Sequence, residues 1–292
     1  MAEITLREAL NNVRIVGVLK EKNLEVKNGE NGKFISGYIL IETDENNVHR
    51  VNIYSSEKTK DKKPSGLYKG IETVKDSYVS LADCSQNNLP PEHAAKVAIN
   101  TGRLGLNEYY SEDGTLHSTW SISTSFVSRL KGEDFTPVAQ FEVEGFIAGV
   151  KNKDDKVSVQ LIVPVYGGRV IPIDFSTTDK AGSFIEDNFK RGESAIFRGI
   201  LLNIVEKEVK VKQGFGEARE DVTIKYVRSL VINDGDENPY DEDGDKAWSS
   251  KDIKSALEAR EVYLEELQAK SGKKSSTSRS ASASASESKD FF

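Results

Sequence analysis

Two tyrosines, an arginine and an asparagine occupy alternate positions in two short runs, residues 35–43 and 48–55, which have the period-two pattern of β-strands. In the first run Ile35, Gly37, Ile39 and Ile41 share one face, and Ser36, Tyr38, Leu40 and Glu42 share the other. In the second, Val51 and Ile53 oppose Arg50, Asn52 and Tyr54. With the aliphatic faces turned into a core, the outer surface presents two flat rings beside a guanidinium and an amide. Such rings can stack on nucleobases, worth about 1–3 kcal/mol per base, while an arginine meets phosphate. The same tyrosines can equally form a cross-strand pair that only steadies the sheet.

The flanks add positive charge. Lys20, Lys22, Lys27 and Lys33 fall in the turn expected between the first two strands, diluted by Glu21, Glu25 and Glu30, and Phe34 opens the second strand. After the third strand comes Lys58-Thr59-Lys60-Asp61-Lys62-Lys63-Pro64-Ser65-Gly66-Leu67-Tyr68-Lys69, with five lysines, one aspartate and a tyrosine. A lysine-rich loop alone is usually just solvated. Beside an aromatic strand face it makes an electrostatic funnel for a flexible polyanion. A third basic element is an expected hairpin at 207–212, where Lys210 and Lys212 alternate with Val209 and Val211; this pattern also serves as edge protection.

No arrangement suited to catalysis accompanies these residues. The chain contains no Walker-type loop, nucleophile elbow, His-Glu-x-x-His or Cys-x-x-Cys motif, so no enzyme is expected. Gly29-Glu30-Asn31-Gly32 and Tyr166-Gly167-Gly168 lie between strands and read as hairpin turns, not phosphate cradles. Cys84 is the single cysteine and the three histidines are scattered, so neither a metal nor another cofactor is expected. No signal-peptide pattern or bilayer-length apolar run is present, and a reducing cytoplasm is the expected compartment. The net charge is −7, of which the last 60 residues hold −5. Nucleic-acid binding would therefore depend on local basic clusters, not on a global positive field.

Strand signals dominate the first 232 residues and fall into two similar series. Val13-Arg14-Ile15-Val16-Gly17 matches Phe141-Glu142-Val143-Glu144-Gly145, and Ala98-Ile99-Asn100-Thr101-Gly102 matches Ala195-Ile196-Phe197-Arg198-Gly199. Phe126-Val127-Ser128-Arg129-Leu130 is set against Tyr226-Val227-Arg228-Ser229-Leu230. Five strands with an irregular or helical insert after the third is the order of the OB-fold, although a generic β-sandwich also fits such strands. The expected organisation is mainly β: OB-like Greek-key barrels at 1–132 and 133–232, a mobile acidic linker at 233–248, a helix at 249–270 and a disordered Ser/Ala-rich tail at 271–292. The first barrel carries the binding face. The second would show Ser158, Gln160, Ile162, Val170, Pro172 and Asp174 at the equivalent place, without a ring. The tail closes on Asp290, Phe291 and Phe292, two exposed rings beside negative charge, suited to a basic-rimmed apolar pocket on a partner.

This layout resembles bacteriophage-type single-stranded DNA-binding proteins with tandem OB-folds, through Gly32-Lys33-Phe34-Ile35-Ser36-Gly37-Tyr38-Ile39 and Val51-Asn52-Ile53-Tyr54. The tail resembles those of bacterial and phage single-strand binders, although its acidic cluster lies at 234–245 instead of at the tip. The resemblance implies a non-enzymatic protein of the host cytoplasm that coats and protects single-stranded DNA with little base preference in replication or recombination. It implies recruitment of replication or recombination proteins through Asp290, Phe291 and Phe292. An RNA-binding OB protein and a non-catalytic phage assembly protein are the alternatives. Oligomeric state is left open, and no membrane association is expected.

Overall fold

Val13, Ile15 and Leu19 are fully buried at odd positions of the first strand, and the two-residue period recurs each time the chain turns back. The computed structural model describes residues 6–29, 32–132, 135–154, 156–212, 219–241 and 244–283, with the side chains of 205–225 and 272–283 outside that description. Its strands are β1 (Asn11–Gly29), β2 (Gly32–Asp44), β3 (Asn47–Ser56), β4 (Lys96–Tyr110), β5 (Leu116–Thr124), β6 (Ser128–Arg129), β7 (Val138–Lys153), β8 (Lys156–Val165), β9 (Arg169–Thr177), β10 (Ser194–Lys212) and β11 (Arg219–Gly235). The helices are α1 (Gly66–Ser77), α2 (Leu81–Gln86), α3 (Asp179–Asn188) and α4 (Ser250–Ala283). No helix among the described residues is long and apolar enough to cross a membrane.

β1 pairs antiparallel with β2 and with β4, β2 pairs with β3, and β4 with β5. A parallel pairing of Val51 in β3 with Ile122 in β5 closes the ring. β7 to β11 repeat this pattern, with β7 against β8 and β10 and a parallel closure of Ser176 on Val231. Both rings have the OB-fold strand order, with helices after the third strand. Gly17 lets β1 serve two neighbours at once, since a Cβ there would lie 2.3 Å from the carbonyl oxygen of Glu42. Gly37 is needed at φ +146, where a Cβ would meet the Asn23 carbonyl oxygen at 1.9 Å.

The two rings form one sheet. Residues 11–16 of β1 pair with residues 138–143 of β7. Asn203 of β10 donates its backbone N–H to Asn47 Oδ1 at 2.9 Å and its side-chain amide to the Val48 carbonyl oxygen. The core runs without a break from Ile39, Ile41, Val51 and Ile53 to Val143, Leu161, Phe175 and Phe197.

The structure departs from the sequence expectations at several places. β1 continues to Gly29, so Lys20, Lys22 and Lys27 lie on a long β1–β2 arm instead of in a turn. β10 runs unbroken through Lys212, so 207–212 is one side of the β10–β11 ladder and not a hairpin in itself. β5 stops at Thr124, and it is Ile122 and Thr124 that make the closing contact with β3, as Val231 and Ile232 do with β9. Residues 126–130 are therefore not the counterpart of 226–230. Tyr68, expected beside the lysines at the surface, is 6% exposed. With Ile71 and Val74 it forms the apolar stripe of α1, whose spacing turns all three into the barrel.

The acidic segment after β11 is held along the second barrel, not left free. Asp236 donates its N–H to the Ile196 carbonyl oxygen at 3.0 Å, and Tyr240 donates to that of Ser194 at 2.8 Å. Arg7 holds the 4%-exposed Glu144 of β7 through two bonds of 2.8 and 2.7 Å, and Leu10 N–H adds a third at 2.9 Å. Burial raises the Glu144 pKa, but the bonds from Arg7, Leu10 and Tyr240 outweigh it and hold the carboxyl below its usual range. Trp248 packs under Arg7, 4.4 Å from the guanidinium, and donates its indole N–H to the Arg7 carbonyl oxygen at 3.1 Å.

α4 then starts from Ser249, whose hydroxyl accepts from Asp252 N–H at 3.1 Å. Ile253 and Ala256 are buried, and the helix packs on β9 and then β4. Arg260 pairs with Glu108 of β4 at 3.0 Å, and Ser271 donates to the Tyr110 carbonyl oxygen at 3.3 Å. The helix continues to Ala283, beyond the expected end at Lys270. No proline interrupts 271–283, although Gly272 and the serines there are weak helix formers.

Trp248→Ala is expected to lower stability by about 3–4 kcal/mol, read as a urea midpoint shift, and to open 236–248 to protease. By the same geometry, deleting 233–292 strips buried Trp248, Ile253 and Ala256 from the second barrel and destabilises the fold. A second expectation concerns His49, inside the first barrel, whose pKa burial lowers to about 4. A base with a lowered folded pKa needs its neutral form. Stability is therefore complete above about pH 6.5 and falls as pH drops toward 4, by up to about 3 kcal/mol. His49→Leu should flatten that part of the stability–pH curve.

Candidate nucleic-acid interface

The outer face of β2 and β3 carries the expected side chains together. Tyr38 pairs with Asn52 across the ladder, Leu40 with Arg50, and Ser36 with Tyr54. Their inward neighbours Ile39, Ile41, Val51 and Ile53 fill the barrel, and alternation sends the polar and aromatic set outward. Tyr54 is 60% exposed, and Phe34 lies beside it with ring centroids 5.4 Å apart. Tyr38 is half-buried. Its hydroxyl donates to Glu21 Oε1 at 3.2 Å, and the Arg50 guanidinium lies 4.0 Å over its ring. The tyrosines are thus not a mutual pair: each has its own neighbour, and Tyr54 keeps most of its surface open.

The lysine segment is a folded loop at the end of this face. Lys58 bridges to Pro64, Thr59 N–H donates to the Lys63 carbonyl oxygen at 2.8 Å, and Lys62 turns the chain at φ 60. Glu57 N–H donates to the Lys33 carbonyl oxygen at 2.9 Å, which anchors the loop beside Lys33 and Phe34. Lys33, Lys58, Lys60, Lys62, Lys63 and Lys69 are all exposed. Lys60 reaches the second barrel, where its ammonium lies 3.3 Å from the hydroxyl of Tyr166 in the β8–β9 turn.

Two of the candidate lysines are engaged otherwise. Lys20 is paired with Glu42 on the neighbouring strand. Lys22 donates to the carbonyl oxygens of Lys75 at 3.0 Å and Tyr78 at 2.5 Å, and lies 3.5 Å from Asp83. It thereby satisfies the C-terminal end of α1, where a cation is favoured. Lys210 and Lys212 sit opposite Asp221 and Arg219 on the distal β10–β11 ladder, with side chains outside the described residues. Asp290, Phe291 and Phe292 also lie outside them.

The structure adds residues that the strand pattern alone did not single out. Trp120 of β5 stands at the rim of the first barrel, and Arg228 of β11 crosses from the second to lie 4.0 Å over its ring and donate to its carbonyl oxygen. Tyr226, on the same face of β11 two residues away, is 73% exposed. In sequence Tyr226 and Arg228 are strand residues of a repeat; only the pairing of the barrels brings Arg228 to Trp120.

The second barrel does not repeat this surface. Ile162 and Val170, at the equivalent outer positions, are buried, and Ala9 N–H donates to the Pro164 carbonyl oxygen at 2.9 Å. Trp248, Ile253 and Ala256 join the same apolar cluster. Gln160 donates to Asp174 Oδ1 there, at 3.0 Å. Among the described residues no group of three His, Cys, Asp or Glu is placed to hold a metal ion.

Strand order and an open aromatic-and-arginine face define an OB-fold protein with one exposed barrel surface. Its fold is similar to that of the wild-type single-stranded DNA binding protein from Thermus aquaticus, at 13% identity and TM-score 0.50, over 80% of this chain and 95% of that one. A deletion mutant of that Thermus aquaticus protein aligns at 14% identity and TM-score 0.49, over 82% of this chain and 100% of the other. No curated protein sequence matches the chain. Residues 9–270 match the YorF family, and the chain belongs to it.

Lys22→Met is expected to destabilise the protein by about 2 kcal/mol, because two helix-end carbonyls lose a charged donor. A chemical melt measures this, and ligand affinity per folded molecule should be unchanged.

Proposed function

We propose that this protein binds single-stranded DNA along the outer face of β2 and β3, without catalysing a reaction on it. The observation that carries the reading is one outward face holding exposed Tyr54 and Arg50 beside half-buried Phe34 and Tyr38, with a folded lysine loop at one end and Trp120 with Arg228 at the other. Open rings suit unstacked bases, which a duplex does not offer, and they grip every base in a similar way. Charge is supplied locally, so affinity falls with salt on a shallow slope. The OB-fold likeness supports the reading, because this barrel face commonly holds oligonucleotides. In this reading the protein coats and protects exposed strands during replication or recombination. Asp290, Phe291 and Phe292 supply the contact for recruited proteins, an assignment supported by their sequence chemistry.

The test is a mobility or anisotropy titration with oligo-dT, oligo-rU and duplex DNA. Oligo-dT is expected to bind, with quenching of Trp120, and duplex DNA to compete poorly. The Tyr38→Ala/Tyr54→Ala variant should bind oligo-dT at least about thirty-fold more weakly, since two stacks of roughly 1–3 kcal/mol each are lost. Absence of oligo-dT binding, or a double variant equal to wild type, would overturn the proposal. Preference for oligo-rU would reassign the ligand to RNA.

A further inference from the structure

Arg50 and Arg228 come from different barrels and are both placed near the start of β3, at one edge of the interface. Arg228 lies opposite Asn203 in the β10–β11 ladder, and Asn203 is bonded to Asn47 and Val48, just before Arg50 in β3. Trp120, beneath Arg228, is two residues from Ile122, the partner of Val51. The pKa of Arg228 is lowered, first by desolvation and then by the charge of Arg50, in keeping with this placement.

Four arginines of the fold are matched with acids: Arg7 with Glu144, Arg103 with Glu8, Arg198 with Glu142 and Asp236, and Arg260 with Glu108. Among the described residues, Arg50 and Arg228 have no carboxylate partner. Each instead has its guanidinium carbon 4.0 Å from a ring centroid, a contact that restrains it before any ligand arrives. Like charges held together without a counter-ion are unfavourable, and an anion accepting from both relieves them.

We infer that Arg50 and Arg228 form a two-armed seat for a single phosphate group, at the point where a bound strand passes from the first barrel to the second. The polymer to which that phosphate belongs rests on the function proposed above; the seat itself rests on the two arginines.

The experiment uses the full chain and inorganic tripolyphosphate, exchanged against chloride at constant ionic strength, with tryptophan emission as the readout. Trp120→Phe assigns the signal. A saturable change is expected in wild type, lost in Arg228→Gln and Arg50→Gln and weakened in Arg228→Lys, whose single point charge cannot fork. With oligo-dT, each glutamine variant should lower the slope of log affinity against log salt by about 0.7, and the double variant by the same amount and not by twice it, because one phosphate is shared. Arg228→Gln should melt no lower than wild type, since a repulsion is removed.

No saturable tripolyphosphate response in wild type, or a response kept in both single variants, overturns the seat even if oligo-dT binds. A doubled loss of slope overturns the sharing. A response lost only in an Arg228→Gln protein that also melts lower, with Arg50→Gln responding normally, makes Arg228 structural and overturns it too. If tripolyphosphate behaves as expected while oligo-dT does not bind, the seat stands and the single-strand reading falls.

Discussion

The antiparallel ladder between residues 11–16 and 138–143 fixes one barrel against the other, and the functional geometry follows from it. β1 spends its first half on β7 and β4 and its second half on β2, so one strand sets both the internal closure of the first barrel and its attachment to the second. Val13 and Ile15 are fully buried where these ladders meet. A ladder of backbone hydrogen bonds leaves little rotational freedom, which is what allows Arg228 to settle on Trp120 and Asn203 to reach the start of β3. With a flexible joint, neither contact would persist.

The two barrels share a strand order and differ in what they do with the same outer surface. In the first, that surface carries Tyr38, Asn52, Tyr54 and Arg50 and stays open. In the second, Ile162 and Val170 are buried with Trp248, Ile253 and Ala256, and the Arg7–Glu144 pair fastens the edge. α4 continues from there to Glu108 and Tyr110 on β4, so it braces the joint from outside. A duplicated fold has been divided into an exposed half and a scaffold half by the choice of side chains at a few alternating positions.

Much of this was legible in the residues. The period-two runs, the first two repeat matches and the outward set on β2 and β3 follow from alternation, which the pleat enforces locally. What could not be read depended on distant partners. Lys22 looks like any basic surface residue until the end of α1 arrives beside it. Tyr68 lies among lysines in the chain, but its place on the apolar stripe of α1 takes it inside. The acidic stretch suggested a loose connector because its charges outnumber its anchors, yet Tyr240 and Trp248 are enough to hold it. Trp120 and Arg228 are a hundred residues apart, and no local pattern links them.

Because the exposed barrel and the covered one are unlike and joined by a backbone ladder, the two ends of the molecule are not equivalent. The lysine loop lies at one extremity of the track and the tryptophan rim at the other. If the proposed binding holds, a polymer whose two ends differ chemically meets this surface in two non-equivalent senses, one fitting better than its reverse. Successive copies along such a polymer would then line up facing the same way, like carriages and not like mirror images.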